Sequence, residues 1–276
     1  MEYIEVSISG ISGEYTDILI AELSESGFES FSEDDGGGLN AYIPSSSFDI
    51  MSAANFLEER SSLLGFSYHV SRIPQQNWNA VWESCYLPVL ISGRCMIRAP
   101  FHEPDPSAEF DLVIEPKMSF GTAHHETTRL MIETILDTDL RGMKVLDMGC
   151  GTAVLAVLAA KMGAKQVVAV DNDEWAFENA LENTARNNEE GICVIRGDAA
   201  TVPAGDYNII LANINRNVLL DDMITYYSLL REGGLMILSG FYSEDNGIII
   251  EKAGSLGFRH TGLRELNNWV VATFTK

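Results

Sequence analysis

Apolar and polar positions alternate from the first residues of the chain, where Tyr3, Ile4, Val6 and Ile8 read as a strand with one buried face. From Tyr15 to Ser26, the residues Ile18, Leu19 and Leu23 recur at helical spacing and predict a helix that buries all three. Phe28 to Phe31 and Leu39 to Ile43 predict two strands flanking an acidic glycine turn, Glu33 to Gly38. Phe48 to Leu64 predicts a second helix closing at Gly65, and Phe66 to Ile73 a last strand. This β-α-β-β-α-β order predicts a small ferredoxin-like domain over residues 1–73, a fold that by itself says little about function.

Residues 74–93 read as a linker. Trp78 and Trp82 lie four apart and so on one helical face, serving either packing or substrate stacking. Pro100, Pro104 and Pro106 mark irregular backbone inside an expected hairpin of Cys95 to Ala99 with Phe110 to Ile114. Beyond Lys144 the pattern changes. Short apolar runs (Val145 to Met148, Val167 to Val170, Ile192 to Arg196, Tyr207 to Ala212, Leu235 to Ser239) alternate with helical stretches. The helices are Val154 to Ala160, Glu174 to Asn187 and Val218 to Leu230, the last ended by Gly233-Gly234. Such alternation predicts an α/β domain over residues 94–276 whose mainly parallel sheet is covered on both faces. Phe258 to Arg264 and Trp269 to Phe274, around Asn267-Asn268, predict an antiparallel pair at the C-terminal sheet edge.

Ligands on sheets of this kind bind beyond the carboxyl ends of the strands, which gathers Asp147, Asp171, Asp198 and Asn213 at one crevice. The run Val145-Leu-Asp-Met-Gly-Cys-Gly-Thr-Ala153 reads as a strand entering a glycine turn, with Gly149 and Gly151 permitting close backbone approach. Asp147 is expected at the mouth of that turn, where a fixed anion repels a dinucleotide's pyrophosphate. The sixth position of the dinucleotide fingerprint is Val154 rather than glycine. S-adenosyl-L-methionine carries no phosphate and has an ammonium and a sulfonium, so it suits an acidic site. Asp171 ends the second strand and can accept from both ribose hydroxyls, as in NAD sites too. Asp198 either accepts from the adenine amine or caps a helix. Asn213 either orients an amine or the cofactor's ammonium, or is a plain strand-end turn residue. In the loop Ser119-Phe-Gly-Thr-Ala-His-His-Glu-Thr-Thr-Arg-Leu130, Thr127 or Thr128 can donate to a bound amino-acid carboxylate near a helix start. His124 and His125 are adjacent, and no carboxylate-histidine spacing completes a ligand set, so no metal is expected.

Charge narrows the partners. The 276 residues carry a formal net charge of −22, and residues 1–72 hold thirteen Asp or Glu against only Arg60 and Arg72. Such a field repels free nucleic acid and attracts basic partners, although solubility alone would also account for it. No run of eighteen apolar residues and no basic leader is present, so a cytoplasmic protein without a membrane span is expected. Cys85, Cys95, Cys150 and Cys193 form no CxxC pair and are expected reduced and mostly buried, Cys150 filling the turn or acting as a nucleophile.

The acidic N-terminal module, the tryptophan patch with Pro88, the Phe120 to Thr128 loop, the glycine turn, Leu211 to Ile214, Leu238-Ser239-Gly240 and Trp269 together resemble the ribosomal protein L11 methyltransferase family over nearly the whole chain. The resemblance implies a Rossmann-like class I methyltransferase fold and methylation of lysine side-chain and N-terminal amines on a basic large-subunit ribosomal protein. It further implies cofactor contacts from Thr128, Gly149, Asp171 and Asn213, and substrate recognition by the N-terminal module. A monomer is expected. Ala123 and Ala153 stand where the family usually has glycine, which matters only if either position demands positive φ. Other readings are methylation of another protein or a small amine, a dinucleotide-dependent oxidoreductase, and a binding module without catalysis.

Overall fold

The computed structural model describes residues 2–33, 37–73, 86–117, 119–189 and 191–276, so Trp78, Trp82 and Cys85 lie outside the described residues. The chain divides into two compact units, Met1–Tyr86 and Leu87–Lys276.

In the first unit β1 (Tyr3–Ser9), α1 (Gly13–Glu25), β2 (Ser30–Glu33), β3 (Leu39–Pro44), α2 (Ile50–Leu64) and β4 (Ser67–Ile73) follow in order. The sheet runs β2-β3-β1-β4, every neighbour antiparallel. Period-two alternation puts Val6, Ile8, Ala41 and Ile43 on the face that meets Leu19, Leu23 and Leu57. Ile18, expected in that stripe, is 53% exposed, because the Leu19/Leu23 pair occupies the contact and the preceding residue is turned about 100° away. Asp49 caps α2 through the Met51 N–H at 3.0 Å, and Gly65 at φ 76° ends it.

The second unit opens with a small sheet of β5 (Val89–Ile91), β6 (Cys95–Arg98) and β7 (Phe110–Val113). Part of the expected linker is therefore a strand. The expected hairpin of Cys95 to Ala99 with Phe110 to Ile114 is absent: β6 pairs antiparallel with β5 and parallel with β7. The proline-rich connection carries the chain back to its starting end instead of reversing it. Arg98 pins that crossover by donating to the Asp111 carboxylate at 2.8 Å and to the His102 carbonyl at 2.8 Å.

There follow α3 (Glu126–Leu136), β8 (Lys144–Met148), α4 (Val154–Lys161), β9 (Gln166–Asp171), α5 (Glu174–Arg186), β10 (Cys193–Arg196), β11 (Tyr207–Asn213) and α6 (Arg216–Leu229). The chain ends with β12 (Leu230–Tyr242), α7 (Asn246–Leu256), β13 (Arg259–Leu266) and β14 (Trp269–Thr275). The sheet order is β10-β9-β8-β11-β12-β14-β13, parallel through β12 and antiparallel at the β14-β13 edge. Val145, Val167, Ile209 and Leu211 pack with α3 and α4, while Leu146, Val168, Ile210 and Ala212 pack with Leu219, Met223 and Ile249. Both faces are thus dry, as the continuous apolar runs require.

Gly233-Gly234 does not end the preceding helix. The pair lies inside β12, where Gly233 N–H donates to the Lys276 carbonyl at 3.0 Å. At the helix end Lys276 Nζ takes the Tyr227 carbonyl of the last turn and the Leu230 carbonyl that opens β12, each at 2.8 Å. Cys95 and Cys150 are buried, whereas Cys193 is exposed at the sheet edge, contrary to its apolar sequence context. No helix among the described residues is long and apolar enough to cross a membrane.

At the β13-β14 turn Asn267 and Asn268 adopt φ of 50° and 66°, the left-handed pair that favours glycine second. Asn268→Gly is expected to stabilise the second unit by about 0.5–1 kcal/mol, read as a raised Tm. A lowered Tm would show that the asparagine side chain contributes more than its backbone strain removes.

Candidate active site

The strand order reverses between β8 and β11, and the crevice beyond their carboxyl ends is walled by the turn that leaves β8. That turn, residues 149–153, is built from backbone bonds. Gly149 and Cys150 N–H both donate to the Val170 carbonyl, at 2.8 and 3.0 Å, and Gly151 N–H donates to Asp171 Oδ2 at 2.8 Å. Asp171 Oδ1 accepts from Asp173 N–H at 3.0 Å, so the carboxylate is fixed at the strand tip with lone pairs to spare. Gly149 and Gly151 both have positive φ; a Cβ on the first would strike Ile214, and on the second the Phe120 carbonyl oxygen.

Ala153 at φ 62° and Ala123 at φ 67° answer the question raised by the two missing glycines. Both positions do demand left-handed backbone. Alanine holds it at about 1–2 kcal/mol each, offset in part by burying both methyls.

Asp147 is not at the mouth of the turn. It is 1% exposed, and its Oδ2 accepts from Ala156 N–H at 3.0 Å in the first turn of α4. The cause is strand parity: Asp147 alternates with Leu146 and Met148 and therefore projects to the α4 side of β8. Its Oδ1 has no partner among the described residues. Burial drives its carboxyl up to about 7, opposed by the Ala156 N–H and aided by the Asp171 charge.

The crevice is a cavity of about 480 Å³ lined by Gly149, Gly151, Asp171, Asp198 and Asn213, with Phe120, Trp175, Ile214 and Val218 as apolar wall. Asp173 and Asp222 also line it, and no Lys or Arg does among the described residues. The repulsion of phosphate that was assigned to Asp147 thus comes from four other aspartates. Asp198 neither caps a helix nor lies buried; its Oδ1 accepts from Ala200 N–H at 3.0 Å in a turn. Burial raises the carboxyl of Asp222, with a smaller push from Asp198, while a Tyr226 hydroxyl bond opposes the shift. Sequence reading missed Asp222 and Trp175, whose only signal was a place on the helices that follow Asn213 and Asp171.

Asn213 Nδ2 donates to Thr128 Oγ1 at 3.4 Å, which leaves its buried Oδ1 without a partner among the described residues; Ser119 Oγ is in the same condition. Both residues line the cavity. Thr127 and Thr128 are buried and are absent from the cavity lining, Thr127 Oγ1 lying 2.9 Å from His125 Nδ1. From Phe120 on the cavity wall a chain of ring contacts runs through His125 and Trp269 to Tyr242, with successive centroids 5.2, 4.8 and 4.0 Å apart.

Residues 7–276 match the family model for ribosomal protein L11 methyltransferase (PrmA). The chain belongs to that family. It is 48% identical over 263 residues to a ribosomal protein L11 methyltransferase of Porphyromonas gingivalis, covering 94% of this chain and 90% of that one. It is 40% identical over 280 residues, the full length of both, to the protein so named in Bacteroides thetaiotaomicron. A crystal structure of the ribosomal protein L11 methylase of Lactobacillus delbrueckii subsp. bulgaricus superimposes with TM-score 0.65 at 26% identity, over 69% of this chain and 99% of that chain.

The cofactor of a family member is S-adenosyl-L-methionine, and the cavity fits it. An acidic lining without cations among the described residues suits a cationic, phosphate-free ligand, Gly149 and Gly151 present bare backbone to the cavity, and Ser119 Oγ is a buried polar atom there with no partner among the described residues.

Between the ordinary carboxyl value of 3.8 and about 7, folded Asp147 holds a proton that the unfolded chain has released. This group's contribution to stability is therefore full below that value and declines as pH rises toward 7. Asp147→Asn keeps an acceptor for Ala156 N–H and cannot ionise. Its stability relative to the parent is expected to grow by on the order of 4 kcal/mol between about pH 4 and pH 8, measured by urea unfolding. A difference that stays flat over that range would exclude a buried proton.

Proposed function

We propose that this chain transfers methyl groups from S-adenosyl-L-methionine to lysine side-chain and N-terminal amines of ribosomal protein L11. The observation that carries the reading is the buried Asn213 Oδ1, which has no partner among the described residues, in an acidic cavity whose described lining holds no cation. Bound S-adenosylmethionine supplies a methyl group activated by its sulfonium. Asp171 holds the ribose hydroxyls, Asp198 the adenine amine, and Gly149 and Gly151 the close-packed backbone side of the site. Thr128 sets the orientation of the Asn213 amide, whose Oδ1 accepts an N–H from the incoming amine.

A lysine amine has a reference pKa of about 10.4, so roughly one in a thousand is free base near neutral pH. Holding the nitrogen in line with the methyl then supplies most of the acceleration.

Recognition is assigned to residues 1–73 and transfer to residues 94–276, with Val89–Ile91 joined to the latter by its pairing. The thirteen carboxylates of residues 1–72 favour a basic protein, and the two arginines there are already engaged, Arg60 with Glu22 and Arg72 with Glu2. The same charge disfavours free nucleic acid as acceptor.

Incubation with labelled S-adenosylmethionine and purified L11, followed by mass spectrometry, is expected to show mass gains of whole methyl groups on lysines and on the N-terminus. Label on a small amine or another ribosomal protein, with L11 untouched, would overturn the substrate. Asn213→Ala should lower kcat on the order of 100-fold at saturating cofactor, with cofactor Kd changed far less. A loss confined to Kd would instead place Asn213 on the cofactor's ammonium.

A further inference from the structure

Helix α5 carries asparagine at 179 and 183, and Asn187 caps its C-terminus; the three share one face over about two turns, and all three side chains are buried. Asparagine is a weak helix former, and a buried amide is tolerated only when bonded. These amides serve as a substitute strand along the edge of β7 that β6 leaves open. Asn187 accepts from Val113 N–H at 2.9 Å and donates to Val113 O at 2.7 Å. Asn183 Oδ1 accepts from Glu115 N–H at 2.8 Å, and Asn179 Nδ2 reaches Glu115 O at 3.5 Å.

Asn183 does one thing more. Its Nδ2 donates at 3.0 Å to the carbonyl of Thr152, inside the turn that walls the cavity. Thr152 in turn binds the opposite loop, through its N–H to Phe120 O at 2.9 Å and its Oγ1 to Gly121 O at 2.8 Å. One buried amide therefore joins the end of β7, the glycine turn and the loop that carries Ser119 and Phe120 onto the cavity.

We infer that Asn183 is a positioning residue for cofactor binding, setting the gap between the Phe120 loop and the glycine turn through Thr152. The inference rests on the proposed assignment of that cavity to S-adenosylmethionine. Asn187 lies on the same face with equally good bonds but without a link to the turn, which makes it the matched control.

Titration with S-adenosylhomocysteine and kinetics on L11 separate the two roles. Asn183→Leu is expected to raise the ligand Kd and the cofactor KM about tenfold or more, with kcat at saturation within about twofold. Asn187→Leu should lower Tm comparably while leaving Kd within about twofold. Thr152→Val tests the same link without touching the helix, and is expected to weaken binding in the same direction. Combined with Asn183→Leu it should add less than the product of the two single effects, because both act through one connection. Folded Asn183→Leu with parental Kd, Asn187→Leu with an equal loss of affinity, or Thr152→Val with parental Kd would each overturn the inference. Should the parent protein bind no S-adenosylhomocysteine, the cofactor site itself falls and this inference with it.

Discussion

The site depends on how closely the backbone at Gly151 is approached from two sides. Its N–H is held by the Asp171 carboxylate at 2.8 Å, and on its Cα side the Phe120 carbonyl oxygen stands where any Cβ would be. The first bond ties the end of β9 to the turn after β8. The second contact ties the turn to the loop after β7. A ligand cavity with walls from three separate segments can keep a defined width only if those segments are fixed to one another, and here most of the fixing is done by backbone and amide groups rather than by charge.

Charge acts at a different place from the one that strand order alone suggests. Asp147 adjoins the glycines in sequence, yet its side chain points into the layer beneath them, where burial drives its carboxyl up to about 7. The acidic character of the cavity comes from Asp171, Asp173, Asp198 and Asp222, brought together from the ends of two strands and the flanks of two helices. The conclusion that a cationic ligand is favoured over a pyrophosphate therefore stands on a different set of carboxylates.

The same turn carries backbone strain. Ala153 and Ala123 occupy left-handed conformations that glycine adopts freely, and both side chains are buried. Strain of this kind persists where the surroundings over-determine the backbone, and both alanines flank the loop and the turn that meet at Thr152. Alanine thus stands at both positions with left-handed backbone kept.

The chain by itself determined its layers. Period-two runs and helical stripes are local properties, so the β-α-β-β-α-β unit, the alternating strands and helices after Lys144 and the antiparallel Asn267-Asn268 edge were all legible. The glycine turn and Asp171 were legible for the same reason, since a strand end and a positive-φ residue announce themselves within a few positions. What the tertiary structure decided was direction and neighbourhood. Pairing sense between Cys95–Arg98 and Phe110–Val113 depends on the path of the crossover, the place of Gly233-Gly234 on the contact with Lys276, and the face taken by Asp147 on strand parity against α4. Asp222, Trp175 and the asparagines of α5 gain their roles only from residues far away in the chain, and a distant partner leaves no periodic trace in the sequence.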